Sequence, residues 1–403
     1  MERSLTLDEV YKASHVLKQF IRTTDLIAAP AVRPGCNIFI KPENLQVTGS
    51  FKVRGASYMI SQLSEKEKES GVIACSAGNH AQGVALAAAK NGIKSIICLP
   101  EGAPISKIEA TRSYGAEICL VPGVYDDAYK RALELVEEKH MTFVHPFDNP
   151  LVVAGQGTIG LEILNDLPDV DAIIVPVGGG GLISGVAYAA KQLNPKIKIY
   201  GVQAAGAPSM VESLKAGKIL RLGSVSTIAD GIAVKEPGEH TFDYCNKWVD
   251  EIITVSDDEI CAAILFLIEK HKMIAEGAGA VSVAAAMFSN LPLEGKKTVC
   301  VVSGGNVDVT FLNRTINRGL QKSGRMCTLS LQIMDQPGQL VVVSQLIAGL
   351  GANVTAVLHE RTNTSIDVKA CVLRVSMETR DQAHIDQIIS ALEEHGIKIL
   401  VKE

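Results

Sequence analysis

Aromatic residues are scarce in this chain of 403 residues: Phe, Trp and Tyr together make up 4% of the positions. The apolar share nevertheless reaches 47% and the charged share is 21%, values that exclude a mainly disordered chain. Small and aliphatic residues therefore carry the apolar content, and 35 residues are glycine. This composition is typical of buried parallel strands covered by alanine-rich helices.

The sequence also has no basic block, since 39 Lys and Arg stand against 44 Asp and Glu for a formal net charge of −5. Binding to nucleic acid phosphates needs concentrated positive charge, so no nucleic-acid partner is predicted. The stretch 172–190 has no charged residue, but Pro176 and the consecutive glycines at 178–181 favour a strand, a loop and a helix over a membrane span. The charged N-terminal segment lacks the apolar core of a secretory signal. The sequence predicts a soluble, cytoplasmic protein with no membrane partner.

No CxxC pair occurs among the nine cysteines, and several of them lie inside apolar runs. An odd number of scattered cysteines predicts reduced thiols that act as small core residues. The nine histidines form no HExxH motif and no Cys/His cluster along the chain. From this spacing the sequence predicts no metal site.

Short apolar runs alternate with helical patterns through most of the chain. This alternation predicts a two-lobed α/β fold with doubly wound parallel sheets, and a closed eight-fold barrel is an alternative that the irregular spacing disfavours. Capping boxes at Thr6 and Ser256 predict two helix starts. The predicted strands are 38–41, 72–75, 95–99, 117–121, 172–177, 197–202 and 298–302, and the predicted helices include 81–90, 126–139, 182–192, 257–271 and 278–288.

The pattern changes near residue 321, where a short polar stretch precedes elements in a different order. The order βαββαβ that follows is that of a split, ferredoxin-like module. Its elements are a strand at 328–333, a helix at 338–350, strands at 353–360 and 368–376, a helix at 380–395 and a strand at 397–401. The predicted domains are a catalytic body at 1–320 with a small lobe within about 40–150, a linker at 321–327 and the module at 328–403.

Two glycine-rich segments predict different roles. The segment 176–185 follows a predicted strand and precedes a predicted helix, and its four consecutive glycines let backbone N–H groups converge on a phosphate. A flexible turn is the alternative, although a turn needs only one or two glycines. Gly155, Gly157 and Gly160 fit the GxGxxG pattern formally. Without a good preceding strand or an acid about 20 residues later, they favour close helix packing over a dinucleotide site.

Lys52 lies between Phe51 and Val53 in a loop of small residues that opens a predicted helix. A lysine without such a context is usually a solvated surface charge. Removal of its ammonium from water lowers its pKa and frees an amine nucleophile. Such an amine can form a Schiff base with an aldehyde cofactor. Together with a phosphate-binding glycine loop, Lys52 indicates pyridoxal 5′-phosphate.

Four segments resemble the signature motifs of fold-type II pyridoxal-phosphate enzymes: SFKVRGA, SAGNHAQGVA, PVGGGGLISG and SGGN, which begin at residues 50, 76, 176 and 303. They are most similar to those of threonine dehydratases (threonine ammonia-lyases), with serine dehydratases and serine racemases as close relatives. The resemblance implies a tryptophan synthase β-like fold and a lyase of amino-acid metabolism. Its reaction would be β-elimination of L-threonine, and of L-serine as a second substrate, to 2-oxobutanoate or pyruvate and ammonia. A serine dehydratase, a β-replacement enzyme of the same fold and a non-catalytic amino-acid sensor are the alternatives.

The resemblance also implies roles for single residues. Lys52 would hold the cofactor as a Schiff base and then act as the base at Cα, while Phe51 would pack beside the pyridine ring. Asn79 would bond the phenolic oxygen, and Ser303 would meet the pyridine nitrogen, where a hydroxyl leaves the nitrogen largely unprotonated and suits β-elimination. The phosphate would be bound by the backbone of Gly178, Gly179, Gly180, Gly181 and Leu182, and the substrate carboxylate by the loop of Ser76, Ala77, Gly78, Asn79 and His80.

Several positions differ from the relatives. Ala77 stands where serine racemases have a serine that protonates the opposite face of the substrate, so racemisation should be poor. Gln203 and Ser209 stand where racemases place acidic metal ligands. Gly277 follows Glu276 where relatives usually have proline, a change expected to affect only a helix start.

The C-terminal module resembles the ACT domain, a regulatory module that commonly binds amino acids between copies. The resemblance implies allosteric control and a homodimer or homotetramer, and oligomerisation without a ligand is the alternative. It leaves open whether the effector is isoleucine, valine, AMP or ADP, and whether the role is isoleucine biosynthesis or degradation. The implied effector candidates are Asp335, Pro337, Gly338, Leu340, Gly351 and Asn353.

Overall fold

The structure is a computed structural model that describes residues 5–361 and 367–402. The chain divides between Val309 and Thr310 into two compact units, each with sheets of its own. Among the described residues, none of the helices combines the length and the apolar character that crossing a membrane requires.

The first unit contains two parallel sheets with helices between the strands. Its helices are α1 (Leu7–Leu17), α2 (Lys52–Ser61), α3 (Glu65–Ser70), α4 (Asn79–Lys90), α5 (Ile105–Ser113), α6 (Tyr125–Lys139), α7 (Pro150–Asp166), α8 (Gly181–Leu193), α9 (Ser209–Ala216), α10 (Glu239–Trp248), α11 (Asp257–Phe266) and α12 (Gly277–Phe288). Its strands are β1 (Ile27–Ala28), β2 (Asn37–Pro42), β3 (Val72–Cys75), β4 (Ser95–Pro100), β5 (Glu117–Val121), β6 (Thr142–Phe143), β7 (Ala172–Pro176), β8 (Lys198–Ala204), β9 (Glu251–Val255) and β10 (Lys297–Val302).

The larger sheet has the strand order β1-β2-β10-β7-β8-β9, and all pairs are parallel except β1 with β2. Every residue of β7 is buried, as expected for a strand that is covered on both faces. The apolar residues of α8 complete the core on one face of this sheet. The predicted doubly wound fold is confirmed.

The smaller sheet has the order β5-β4-β3-β6 and is wholly parallel. Alanines of α4 pack against it in a second core, which accounts for the low aromatic content of the sequence. Because the carboxyl ends of parallel strands lie at one edge of a sheet, the loops after β3 and β7 are placed where α/β proteins bind ligands.

Three short or edge strands, β1, β6 and β9, were not predicted from the sequence. The predicted helix at 257–271 is α11 followed by a π-helical turn at Leu267–His271. The Ser256 capping box forms, whereas only half of the Thr6 box does, because the Glu9 carboxylate accepts a hydrogen bond from the hydroxyl of Tyr58 instead.

The GxGxxG match lies inside helix α7 and makes close helix contacts. A Cβ on Gly155 would lie 2.7 Å from the Cα of Gly55 in α2, and one on Gly157 would lie 3.1 Å from the carbonyl oxygen of Gly185 in α8. The glycines therefore allow three helices to approach closely.

The second unit is a four-stranded antiparallel sheet with helices. Its elements are α13 (Val309–Lys322), β11 (Met326–Met334), α14 (Gln339–Gly349), β12 (Asn353–Glu360), β13 (Ala370–Glu378), α15 (Gln382–Glu394) and β14 (Lys398–Lys402). The strand order, β12-β13-β11-β14, is that of the predicted βαββαβ module.

The predicted linker at 321–327 is wrong in its extent. Helix α13 continues to Lys322, and β11 begins at Met326 because this residue already pairs with Glu378 of β13. Gly324, with φ of +68°, makes the tight turn between helix and strand.

All nine cysteines are free, as the sequence predicted.

Candidate active site

The Lys52 segment is joined to the Ser303 segment by backbone hydrogen bonds. Phe51 N–H donates to the Ser303 carbonyl at 3.0 Å, and Gly305 N–H donates to the Gly49 carbonyl at 2.9 Å. Ser50 and Gly304 form an isolated β-bridge between the same two segments. Two motifs far apart in the chain thus form one wall of a site at the carboxyl ends of β2 and β10.

Lys52 begins helix α2, and its side chain is partly buried. Its Nζ donates to the Pro146 carbonyl at 2.8 Å and lies 5.4 Å from the centroid of the Phe51 ring. Burial lowers the pKa of Lys52 to about 8, although the charge of Glu276 opposes this shift. A substantial fraction of the amine is therefore neutral at a mildly alkaline pH.

Asn79 and Glu276 contact the Ser303 segment, where Glu276 N–H donates to the Gly304 carbonyl at 3.1 Å. Asn79 Nδ2 donates to Glu276 Oε1 at 2.6 Å, and Asn306 Nδ2 donates to Asn79 Oδ1 at 2.8 Å. Burial raises the pKa of Glu276 to about 7, against the opposing effect of the hydrogen bond from Asn79. No local motif connects Glu276 with Lys52, so the sequence alone indicates only that Glu276 precedes a helix start.

The glycine loop between β7 and α8 has no room for side chains. A Cβ on Gly179 would overlap the ring of Phe147, one on Gly180 would lie 2.7 Å from Thr241, and one on Gly181 would lie 2.8 Å from Phe147. Gly180 has a φ of +99°, which favours glycine. The first N–H groups of α8 have no acceptors within the helix, so the loop offers donors to an anion.

Phe147 connects this loop to Lys52, because it follows Pro146, whose carbonyl accepts from the lysine. The loop 145–148 is itself held by the ring of His145, whose Nδ1 accepts from Asp148 N–H at 2.8 Å. This loop contains neither a glycine cluster nor a nucleophile, so the sequence alone gives no signal for it.

The predicted carboxylate loop begins after β3. Ser76, Ala77 and Gly78 lie in the loop, and Asn79 and His80 form the first turn of α4. The His80 ring bonds the Val144 carbonyl at 2.8 Å, and burial together with the charge of Lys52 lowers its pKa to about 3. His80 is therefore neutral, and the first N–H groups of α4 have no acceptors within the helix, so they are available to an anion.

Ser303 is buried at the end of β10, and its Oγ donates to the Ala278 carbonyl at 3.3 Å. Ser50, in the segment bonded to it, has a buried hydroxyl without a partner among the described residues. Two buried hydroxyls and one amine therefore lie in these two joined segments.

Helix α2, which carries Lys52, is anchored by a buried ion cluster. Arg54 Nε lies 2.7 Å from Glu43 Oε2, and its Nη1 lies 2.6 Å from Glu162 Oε1. Lys41 Nζ reaches the same Glu162 at 2.6 Å. The cluster joins α2 to β2 and α7 and so fixes the start of the helix where Lys52 lies.

The effector candidates do not form one cluster in a single chain. Asp335, Pro337, Gly338 and Leu340 surround the start of α14, whereas Gly351 and Asn353 follow its end. The helix has 11 residues and is therefore about 16 Å long. A ligand of amino-acid size cannot touch both groups within one copy.

Gln203 and Ser209 are buried, and neither supplies an acidic group. The Gln203 side chain donates to the Val177 carbonyl and accepts from Val211 N–H at 2.9 Å. Its amide is thus occupied in holding the turn between β8 and α9.

Residues 17–305 match the family model described as pyridoxal-phosphate dependent enzyme. An L-threonine ammonia-lyase of Thermotoga maritima is 47% identical over 98% of this chain and 99% of its own length. The processed form of threonine deaminase isoform 2 from Solanum lycopersicum is 39% identical over 79% of this chain and 95% of its own, with a TM-score of 0.74. Maize serine racemase is 35% identical over 79% of this chain and 99% of its own, also with a TM-score of 0.74.

Proposed function

The chain belongs to the family of pyridoxal-phosphate-dependent enzymes, and we propose that it deaminates L-threonine to 2-oxobutanoate and ammonia by β-elimination. The observation that carries this proposal is the partly buried amine of Lys52, directed at the loop that packs on the glycine segment. The substrate follows from the relative of Thermotoga maritima, which matches nearly the whole chain and is an L-threonine ammonia-lyase.

The residues of the site fit pyridoxal phosphate. Lys52 offers an amine of lowered pKa for a Schiff base with an aldehyde. The loop 178–182 offers backbone N–H groups at a helix start, where a phosphate is stabilised. Asn79 and the buried hydroxyl of Ser303 offer neutral polar groups, with no carboxylate at position 303.

Bound pyridoxal phosphate supplies an electron sink that makes the Cα–H bond of an amino acid acidic. We assign the uptake of that proton to the neutral amine of Lys52, which the Pro146 carbonyl orients. The N–H groups at the start of α4 bind the substrate carboxylate, and neutral His80 adds no competing charge there. Glu276 keeps the Asn79 amide oriented through its 2.6 Å hydrogen bond.

L-Serine is proposed as a second substrate because it differs from L-threonine only by a methyl group, which a pocket discriminates weakly. Racemisation is disfavoured because Ala77 has no hydroxyl that could exchange a proton. A β-replacement enzyme and a non-catalytic sensor are the competing functions. Intact Lys52, Asn79 and Ser303 weigh against the sensor.

We further propose that the second unit is an ACT module that couples an effector to catalysis. The separation of its two candidate groups by the length of α14 supports a ligand site shared between copies, and hence a homodimer or homotetramer. Such control requires an effector that stabilises one global state. Measurements of activity and of thermal shift with isoleucine, valine, AMP and ADP identify the effector.

A cytoplasmic location of the protein stays a prediction.

The test of the reaction is Lys52→Ala, compared with Lys94→Ala at an exposed lysine. We expect the first variant to lose release of 2-oxobutanoate and borohydride-trapped attachment of the cofactor, and the second to retain both. Full activity of Lys52→Ala would overturn the assignment. Relative kcat/KM for threonine and serine, with and without sulfide, separates deamination from β-replacement.

A further inference from the structure

Three potential metal ligands from three different segments meet in the second unit. Asp335 follows β11, His359 lies in β12 and Cys371 lies in β13, and their ligand atoms all lie within 4.8 Å of one another. The sequence predicted no metal site because these residues form no motif along the chain. The sheet brings them together, since β13 pairs with both β11 and β12.

The thiol of Cys371 and the carboxylate of Asp335 both approach the Nε2 atom of His359. His359 Nε2 lies 2.9 Å from Cys371 Sγ and 4.0 Å from Asp335 Oδ1. A proton relay needs the thiol and the carboxylate on opposite nitrogens of the imidazole. Here both approach Nε2, so the imidazole cannot relay a proton between the thiol and the carboxylate. The three ligand atoms instead surround a single point.

The spacing suits a tetrahedral ion. Bonds of about 2.3 Å to sulfur and about 2.0–2.2 Å to nitrogen and oxygen place neighbouring ligand atoms roughly 3.3–3.6 Å apart. The observed separations of 2.9 and 4.0 Å lie on either side of this value. The third pair of ligand atoms lies within 4.8 Å, so rotations of the half-exposed Asp335 and His359 side chains are needed to reach this spacing.

The donor chemistry selects the class of ion. One thiolate, one imidazole and one carboxylate suit a borderline-soft divalent cation such as Zn²⁺, whereas Mg²⁺ and Ca²⁺ prefer oxygen ligands. Cys371 is buried and anchored, with its Sγ 3.8 Å from the Ile333 carbonyl, while Asp335 and His359 retain 37% and 34% of their side-chain exposure. An ion can thus enter from solvent and meet a fixed thiol.

Arg361 is the positive group that faces this cluster. Its Nε lies 3.2 Å from Asp335 Oδ1 and 3.1 Å from Oδ2, and its side chain is 64% exposed. A carboxylate has about four acceptor positions, so one oxygen can ligate an ion while the other retains Arg361. The guanidinium therefore lowers the affinity of the site for a cation without blocking the site.

We propose that Asp335, His359 and Cys371 form a binding site for Zn²⁺ or a chemically similar divalent cation in the second unit. Three protein ligands leave a fourth position for water or for a small ligand. The site lies beside Pro337 and Gly338, so a bound ion would order the turn that begins α14. The proposal does not depend on the proposed reaction.

The test uses the full-length holoenzyme, stripped with a chelator and titrated with Co²⁺ and with Zn²⁺. We expect one tight Co²⁺ equivalent with a thiolate-to-cobalt charge-transfer band, displaced by Zn²⁺. Cys371→Ser should abolish the band, whereas Cys327→Ser, at another buried cysteine of the same sheet, should keep it.

His359→Gln and Asp335→Asn alter half-exposed side chains and should fold normally, as circular dichroism will check. Loss of a residue that only hydrogen-bonds a metal ligand weakens metal binding roughly 10–100-fold, and each of these variants should weaken Zn²⁺ binding by more than that. His395→Gln, at an exposed histidine, should leave Zn²⁺ binding unchanged. A wild-type protein without the thiolate band, or variants at 335 and 359 that bind Zn²⁺ as the wild type does, would overturn the proposal. Deamination of threonine is measured in parallel as an independent quantity.

Discussion

Lys52 and Glu276 lie in one pocket, and burial moves their pKa values towards each other. Loss of water lowers the pKa of the lysine to about 8 and raises that of the glutamic acid to about 7. The attraction between their charges opposes both shifts. At the residue scale, the amine of Lys52 is therefore reactive because burial lowers its pKa by more than the charge of Glu276 raises it.

Glu276→Gln should lower the pKa of Lys52 further, by up to about one unit, because the negative charge that raises it is removed. The measurement is the pH dependence of Lys52 acylation in cofactor-free protein, followed by mass spectrometry. Acylation of the exposed Lys94 serves as the internal control. An unchanged or higher midpoint for Lys52 would contradict the assigned coupling.

Glu276 should also make the cofactor-free protein less stable as the pH rises. Its folded pKa of about 7 lies above the ordinary value of 4.5, so its contribution is fully present below pH 4.5 and is lost as pH rises through 7. The loss is on the order of 2–3 kcal/mol in the free energy of unfolding. Denaturant titrations from pH 4.5 to 8 should detect a smaller decline in Glu276→Gln; an identical decline would refute this role.

Gly179→Ala should weaken cofactor binding because its Cβ would overlap the ring of Phe147. Overpacking of this kind costs about 1–3 kcal/mol, or roughly tenfold in affinity for each 1.4 kcal/mol. Fluorescence titration of the apoprotein with pyridoxal phosphate measures the effect. Gly102→Ala is the control, since nothing lies within 4 Å of its Cβ position.

At the scale of elements, the buried ion cluster holds α2 against β2 and α7. Arg54 and Glu43 are both inaccessible to solvent, and each depends on the other for compensation of its charge. The guanidinium of Arg54 helps to hold the pKa of Glu43 below its usual range despite burial. The contribution of the Glu43 carboxylate to stability is present above its unfolded pKa of 4.5. It is lost as the pH falls through the lowered pKa that Glu43 has in the folded protein.

Arg54→Met should destabilise the first unit by about 3–5 kcal/mol, because it leaves Glu43 buried without its main partner. Chemical denaturation at pH 7 measures this change. Arg131→Met removes the exposed ion pairs with Glu134 and Glu138 and should change the unfolding free energy little. If both variants unfold alike, the cluster has no special role in positioning α2.

At the scale of the whole molecule, the chain contains a catalytic unit and a second unit with a separate core. The structure of maize serine racemase is covered over 99% of its own length by 79% of this chain, so the similarity does not extend over the whole of this chain. Under the proposed ACT function, removal of the second unit should separate regulation from catalysis.

A chain ended after Val309, where the first unit ends, should keep its kcat/KM for threonine within about a factor of ten and lose its response to the effector. Steady-state kinetics with and without isoleucine, valine, AMP and ADP check this expectation. A truncated protein that still responds would exclude the second unit as the effector site. The full-length protein under the same conditions is the control.

The sequence by itself determined the alternation of strands and helices, the βαββαβ order and the motifs around Lys52 and Gly178. These features follow from local periodicity and from residue types that chemistry requires at one place in the chain. Only the tertiary structure brought Glu276 and Pro146 to Lys52, separated the effector candidates by the length of α14, and joined Asp335, His359 and Cys371. Those arrangements depend on strand order and helix packing, because they join residues whose distance along the chain says nothing about their distance in space.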